Sequence, residues 1–199
     1  QNADVYGGDT PVKPRAIDNA PTVQADGIGI GSAFFDGVDD YISISAITGT
    51  LENDDNYTLA GWFKTSDSGS AAANRIANAM FSNSDATYQQ DAGIDGGKLT
   101  FHNYDGSWTK RQGATTVSDG VWHHAAFVHS DDDTMDIYLD GVVDLSNADV
   151  TYSSDFKLDL IGSSYNTADF NGNMCQLGIW SKALTQAQVQ SVMEKTYDE

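Results

Sequence analysis

Aromatic rings placed beside planar polar groups on a turn offer the chemistry of sugar recognition. The rings stack on the apolar faces of pyranoses, and amides or carboxylates bind the hydroxyls. The segment His102-Asn-Tyr-Asp-Gly-Ser-Trp108, followed by Lys110-Arg111, has that composition. It sets Tyr104 and Trp108 on either side of a turn, with Asn103 and Asp105 as hydrogen-bonding neighbours and Arg111 able to meet an acidic sugar. Tyr165, Asn166 and Asp169 make a second loop of the same kind. Rings on turns point to binding because loops carry recognition while strands carry packing.

Three Asp-rich loops offer a different chemistry. Calcium takes several carboxylate, amide and backbone oxygens from a bent loop. Asp36-Gly-Val-Asp39-Asp40, Asn53-Asp-Asp-Asn56 and Asp131-Asp-Asp133 supply such oxygens, none with EF-hand spacing. Asp36, Asp39 and Asp40 form the preferred calcium candidate. Zinc is not expected. His123 and His129 share a strand face but stand six residues apart, roughly 20 Å along a strand, and His124 falls on the opposite face. These histidines read as structural groups beside Trp122.

Catalytic signatures are missing. Glu occurs only at Glu52, Glu194 and Glu199, none inside an expected strand, so the strand-borne acid pair of a glycoside hydrolase is absent. Asp136 and Asp140 flank a turn and read as solvated. There is no Gly-x-Ser-x-Gly elbow and no phosphate-cradling glycine loop before a helix. Cys175 has no neighbouring base and reads as a small hydrophobe. The sequence is read as that of a non-enzyme.

The elements that must carry these groups are short and turn-punctuated. Tyr41-Ile-Ser-Ile-Ser45 alternates strictly, and Tyr57–Phe63, Lys98–Phe101, Val121–Val128, Met135–Leu139, Lys157–Ile161 and Met174–Trp180 add further period-2 or doubly apolar runs. Such runs between Asp-Gly, Gly-Gly and Asn-rich turns predict antiparallel β-structure. One helix is expected near the C-terminus. Thr185 and Gln188 form a capping box, Leu184 and Val189 a hydrophobic staple, and Val189, Val192 and Met193 an apolar stripe. The fold class is therefore all-β, a jelly-roll sandwich of two antiparallel sheets with one short C-terminal helix. Residues 1–20, which hold Pro11 and Pro14, lack apolar periodicity and read as an extended arm; residues 21–199 read as one sandwich domain.

Composition narrows the partners. The 199 residues carry 29 acidic and 10 basic side chains, a net charge of -19. Nucleic acids and anionic membranes attract basic patches, so neither is an expected partner. No apolar run approaches the ~18 residues that suggest a membrane span, so no membrane insertion is expected. The chain begins at Gln1 with no signal peptide in view, which suits a cleaved leader, a processed precursor or a truncated chain.

Several of these motifs, taken in order, resemble one family. They are Ala33-Phe-Phe-Asp-Gly-Val-Asp-Asp-Tyr-Ile42, Tyr57-Thr-Leu-Ala-Gly-Trp62, Trp122-His-His-Ala-Ala-Phe127, Met135-Asp-Ile-Tyr-Leu-Asp-Gly141, Ile161-Gly162, Phe170-Asn-Gly172 and Ile179-Trp-Ser-Lys-Ala-Leu184. Over residues 33 to 193 the chain resembles the laminin-G-like modules of the concanavalin A-like lectin/glucanase superfamily. The resemblance implies a jelly roll that is usually non-catalytic and binds glycans or proteins through rim loops, often beside calcium. It also implies an extracellular or virion-surface location. The family often has an acid where Met174-Cys175-Gln176 stand, which bears on any calcium site.

Two functions follow as expectations. The first is a recognition or adhesion module that binds a cell-surface glycan through the Tyr104–Trp108 and Tyr165–Asp169 loops. The second is a structural or decoration protein of a virus or phage particle, whose N-terminal arm would contact a neighbouring subunit.

Overall fold

A computed structural model describes residues 4–5, 21–29, 31–44, 56–69, 78–84, 89–104, 106–130, 133–150, 157–164 and 169–195. In chain order the strands are β1 (Asp4–Val5), β2 (Thr22–Gln24), β3 (Ser32–Asp36), β4 (Ile42–Ser43), β5 (Tyr57–Lys64), β6 (Asn78–Ser82) and β7 (Gln90–Asp95). They continue with β8 (Lys98–Tyr104), β9 (Trp108–Thr116), β10 (Trp122–Ser130), β11 (Thr134–Leu139), β12 (Val142–Asp149), β13 (Leu160–Ile161) and β14 (Asn171–Trp180), and α1 spans Gln186–Met193. Two seven-stranded sheets result, ordered β1-β4-β13-β6-β7-β8-β9 and β12-β11-β10-β5-β14-β3-β2. All pairings among the described residues are antiparallel. The expected two-sheet sandwich is what the chain forms.

Alternation decides which side chains meet between the sheets, because successive residues of a strand point to opposite faces. Leu59 and Phe63 of β5, Phe127 of β10 and Ile137 of β11 face Phe81 of β6, Leu99 and Phe101 of β8 and Ile161 of β13 in one buried cluster. Each fully buried Phe or Leu contributes about 1.5–3 kcal/mol. Met135, Ile137 and Leu139 point inward as their spacing predicts. Phe35 meets Phe170 edge-on at 6.0 Å, and Gly162, at φ +83°, lets the backbone pass against the Phe35 ring where a Cβ would collide.

A second, smaller cluster covers the outer face of the β5–β10–β11 sheet. There Ala60, Ala126, Val128 and Tyr138 pack under Leu184 and Val189 of the helical segment. The helix begins as the sequence predicts, with Thr185 and Gln188 forming a reciprocal capping box. Thr58, fully buried on β5, anchors its approach: its hydroxyl donates to the Lys182 carbonyl (2.8 Å) and accepts from the Leu184 amide (3.0 Å).

β1, β2, β3, β6, β7, β9 and β12 were not expected as strands. β6 and β7 are buried on both faces, so neither alternates cleanly, and β7 (Gln90-Asp-Ala-Gly-Ile-Asp95) has a single β-branched residue. Most of residues 1–20 lie outside the described residues, and with them most of the expected arm. Asp4 and Val5 pair with Ser43 and Ile42 of this same chain.

Candidate functional site

The aromatic hairpin forms at the end of the β8–β9 pair, where Tyr104 and Trp108 sit directly opposite each other in register. Their ring centroids are 5.0 Å apart and tilted by 41°, and the Trp108 ring lies 5.8 Å from that of His102. Both aromatic residues are partly exposed, whereas His102 is fully buried. The three share the face turned away from the core, since Leu99 and Phe101 occupy the alternate positions of β8. Neither nitrogen of His102 has a hydrogen-bond partner among the described residues. Burial holds its pKa down to about 4, with nearby Lys110 acting in the same direction and Asp95 against it, so the ring is neutral at physiological pH.

Alternation separates the other residues expected at this loop. Asn103 takes the core-facing parity of Leu99 and is 1% exposed, so it is not beside the Tyr104–Trp108 rings. Arg111 also lies on the opposite face of its strand from Trp108. Its Nε donates to the Asp149 carbonyl and one terminal nitrogen to the Lys110 carbonyl, which joins β9 of one sheet to β12 of the other. The basic group on the hairpin face is instead Lys110, ion-paired with Asp95. Asp105, Tyr165 and Asn166 lie outside the described residues.

The register extends this face into a lane across the sheet. Ser43 pairs with Leu160, Leu160 with Ser82, Ser82 with Asp91, Asp91 with His102 and His102 with Lys110. The middle of the lane is a buried polar network. Ser82 Oγ donates to Asp91 Oδ1 (2.6 Å), and Gln89 Nε2 donates to Asp91 Oδ2 (3.0 Å) and Ser164 Oγ (3.2 Å). At the far end Tyr41, Ser43, Ser84, Asp159, Leu160 and Ser163 line a cleft of about 480 Å³. The sequence held a signal for it in the outward alternation of Tyr41 and Ser43, which was read only as a strand.

The Asp-rich turn after β3 gathers carboxylates. Asp36, Asp39 and Asp40 bring one oxygen each within 4.8 Å of one another. That span equals two calcium–oxygen bonds of ~2.4 Å, so one ion could bridge them. Asp40 is 6% exposed and accepts from the Asp36 amide (3.0 Å), while Asp36 accepts from Val38 (2.8 Å). Burial pushes the Asp40 carboxyl up to about 6, with the neighbouring charges of Asp36, Asp39 and Asp169 adding to the shift. Asp169 is raised too, chiefly by burial and then by Asp39 and Asp36, against the bond it accepts from Ser163 Oγ (2.5 Å). A cation would relieve this crowding, and the donor set of hard oxygens fits calcium. Cys175 and Gln176 hold the backbone at Ile28: Sγ accepts from its amide (3.5 Å) and Gln176 Nε2 donates to its carbonyl (3.0 Å). Of the other calcium candidates, residues 53–55 and 131–132 lie outside the described residues.

No helix of the described residues is long and apolar enough to cross a membrane. No curated protein matches the chain in sequence. Among solved structures, domain 4 of AbnA, a GH43 extracellular arabinanase from Geobacillus stearothermophilus, in complex with arabinotriose, superposes with a TM-score of 0.67 at 20% identity, covering 96% of this chain and 87% of that one. The receptor binding domain of botulinum neurotoxin D gives 0.65 at 16% identity over 97% of this chain and 48% of that one, so this chain spans about half of it. The binding domain of Paraclostridial Mosquitocidal Protein 1 gives 0.62 at 13% identity, over 96% of this chain and 46% of that one. At such identities the likeness is one of fold. The Laminin_G_3 family profile, described as Concanavalin A-like lectin/glucanases superfamily, matches residues 36–190, well over half of the sequence. The chain therefore belongs to the laminin-G-like branch of the concanavalin A-like lectin/glucanases superfamily.

Proposed function

We propose that this protein is a non-catalytic, extracellular or particle-surface recognition module that binds glycans through the β8–β9 hairpin. The observation that carries the reading is the Tyr104–Trp108 pair, two partly exposed rings held 5.0 Å apart on the outer face of a sheet. Their tilt of 41° makes a shallow aromatic shelf against which the C–H face of a sugar can stack. Lys110, two residues from Trp108 on β9 and on the same face, is ion-paired with Asp95 and is the basic group this face offers to sugar hydroxyls. The arabinotriose in the AbnA domain supports sugar binding on this fold, although fold alone does not fix a ligand. Calcium at Asp36, Asp39 and Asp40 would fix the turn that leads into Tyr41. Affinity electrophoresis through gels containing neutral polysaccharides tests the reading. Trp108→Ala should lose retardation while Trp122→Ala, on the other sheet, keeps it; retardation unchanged in Trp108→Ala would overturn it.

A further inference from the structure

The cleft at the far end of the lane has a chemistry of its own. Ser43 of β4, Leu160 of β13 and Tyr41 just before β4 line it on the side away from the core, and Ser84, Asp159 and Ser163 close the sides. Its volume of about 480 Å³ falls within the ~300–1,000 Å³ usual for small-ligand sites. The two oxygens of Asp159 are engaged: Oδ1 accepts from the Ser84 amide (2.8 Å) and Oδ2 from the Ser84 hydroxyl (2.6 Å). The Ser163 hydroxyl likewise donates to Asp169 Oδ1 (2.5 Å).

This wiring selects the ligand. A hydroxyl has one proton and two lone pairs. Ser84 and Ser163 spend their protons on carboxylates, so each has only lone pairs left for a ligand. The carboxylates of Asp159 and Asp169 repel anions, and each Asp159 oxygen, holding one bond from Ser84, keeps a lone pair that can accept from a further hydroxyl. A neutral molecule rich in O–H donors satisfies the serine lone pairs, and the Tyr41 ring and Leu160 offer apolar surface to its C–H groups.

We propose that this cleft is a second saccharide site, taking one or two rings of a neutral, hydroxyl-rich sugar. It goes beyond the hairpin reading and does not depend on it. The cleft and Trp108 lie at opposite ends of the sheet, since β4 and β9 are five strand spacings, roughly 24 Å, apart.

The test is amide chemical-shift mapping on the full chain with arabinotriose, maltotriose and cellotriose as neutral probes, trigalacturonate as an acidic one and putrescine as a cationic one. At least one neutral trisaccharide should move the amides of Tyr41–Ser43, Ser84 and Asp159–Ser163. Asp159→Asn should weaken that response about tenfold or more, Tyr41→Phe should retain it, and Trp108→Ala should leave it unchanged. Silence of these amides to all neutral probes, a response to trigalacturonate or putrescine alone, or loss of the response in Trp108→Ala would each overturn the proposal. A response at the cleft with none at Tyr104 and Trp108 would sink the hairpin reading and leave this one standing.

Discussion

Tyr104 and Trp108 face each other as the last residue of β8 and the first of β9, so the strand register itself builds the aromatic shelf. Their direct pairing sets the separation, and the alternation of β8 and β9 sets the face. Neither ring belongs to the core, which is filled by Leu99 and Phe101 from the other face of β8.

Arg111 should matter for stability and not for glycan retention. It joins the two sheets through the Asp149 carbonyl, on the face opposite Trp108. Arg111→Ala is expected to lower stability by roughly 1 kcal/mol while leaving retention on an acidic or neutral glycan matrix unchanged. Loss of retention at unchanged melting temperature would return Arg111 to the binding face.

The Thr58 hydroxyl holds the segment that leads into α1. Thr58→Val keeps the shape but leaves the Leu184 amide and Lys182 carbonyl without that partner in a buried setting. A destabilisation of about 1–3 kcal/mol is expected, read by denaturant unfolding. A neutral effect would mean that water reaches both groups.

Asp40 carries opposite predictions with and without calcium. Its carboxyl is raised to about 6 in the folded chain, above the unfolded value of ~3.9. An acid raised on folding favours the native state when protonated, so its contribution is present below about pH 4 and is lost as the pH rises through 6. Without calcium, Asp40→Asn should therefore stabilise the protein at pH 7.5 by about 1–3 kcal/mol and change little at pH 4. With millimolar calcium, the wild type should gain melting temperature and Asp40→Asn should not. A calcium gain that survives in Asp40→Asn would remove Asp40 from the ligand set.

Two buried histidines set the acid limit. Burial is the main cause holding His102 and His124 to about 4, against an ordinary value near 6.5. Bases lowered on folding contribute stability above about pH 6.5 that is lost as the pH falls toward 4, about 3 kcal/mol for each. Nitrogen-15 shifts of both rings should report neutral imidazole down to about pH 5. Titration of either near 6.5 would show that its ring is solvated.

Much of this architecture could be read from residue spacing, because alternation and capping are local. Met135, Ile137 and Leu139 announce their inward face, and Thr185 with Gln188 announces the helix. Strands buried on both faces, such as Asn78–Ser82, give no period to detect. The site was less legible. Its rings were visible as a pair around a turn, but the sorting of Asn103 and Arg111 away from Trp108 depends on the exact residue at which β8 ends and β9 begins. One residue of slip would exchange the faces. The cleft was hidden for another reason: Tyr41, Ser84 and Asp159 are far apart in sequence and meet only through the β4–β13–β6 pairing.

A glycan array read with calcium and again with EDTA, for the wild type and Trp108→Ala side by side, tests the central claim most directly. The account predicts neutral-glycan hits for the wild type, lost or strongly reduced in Trp108→Ala, with both proteins folded. Hits lost in EDTA would add the Asp36–Asp40 turn to the binding apparatus. An array with no hits for the wild type, or one on which Trp108→Ala binds as the wild type does, would contradict the account.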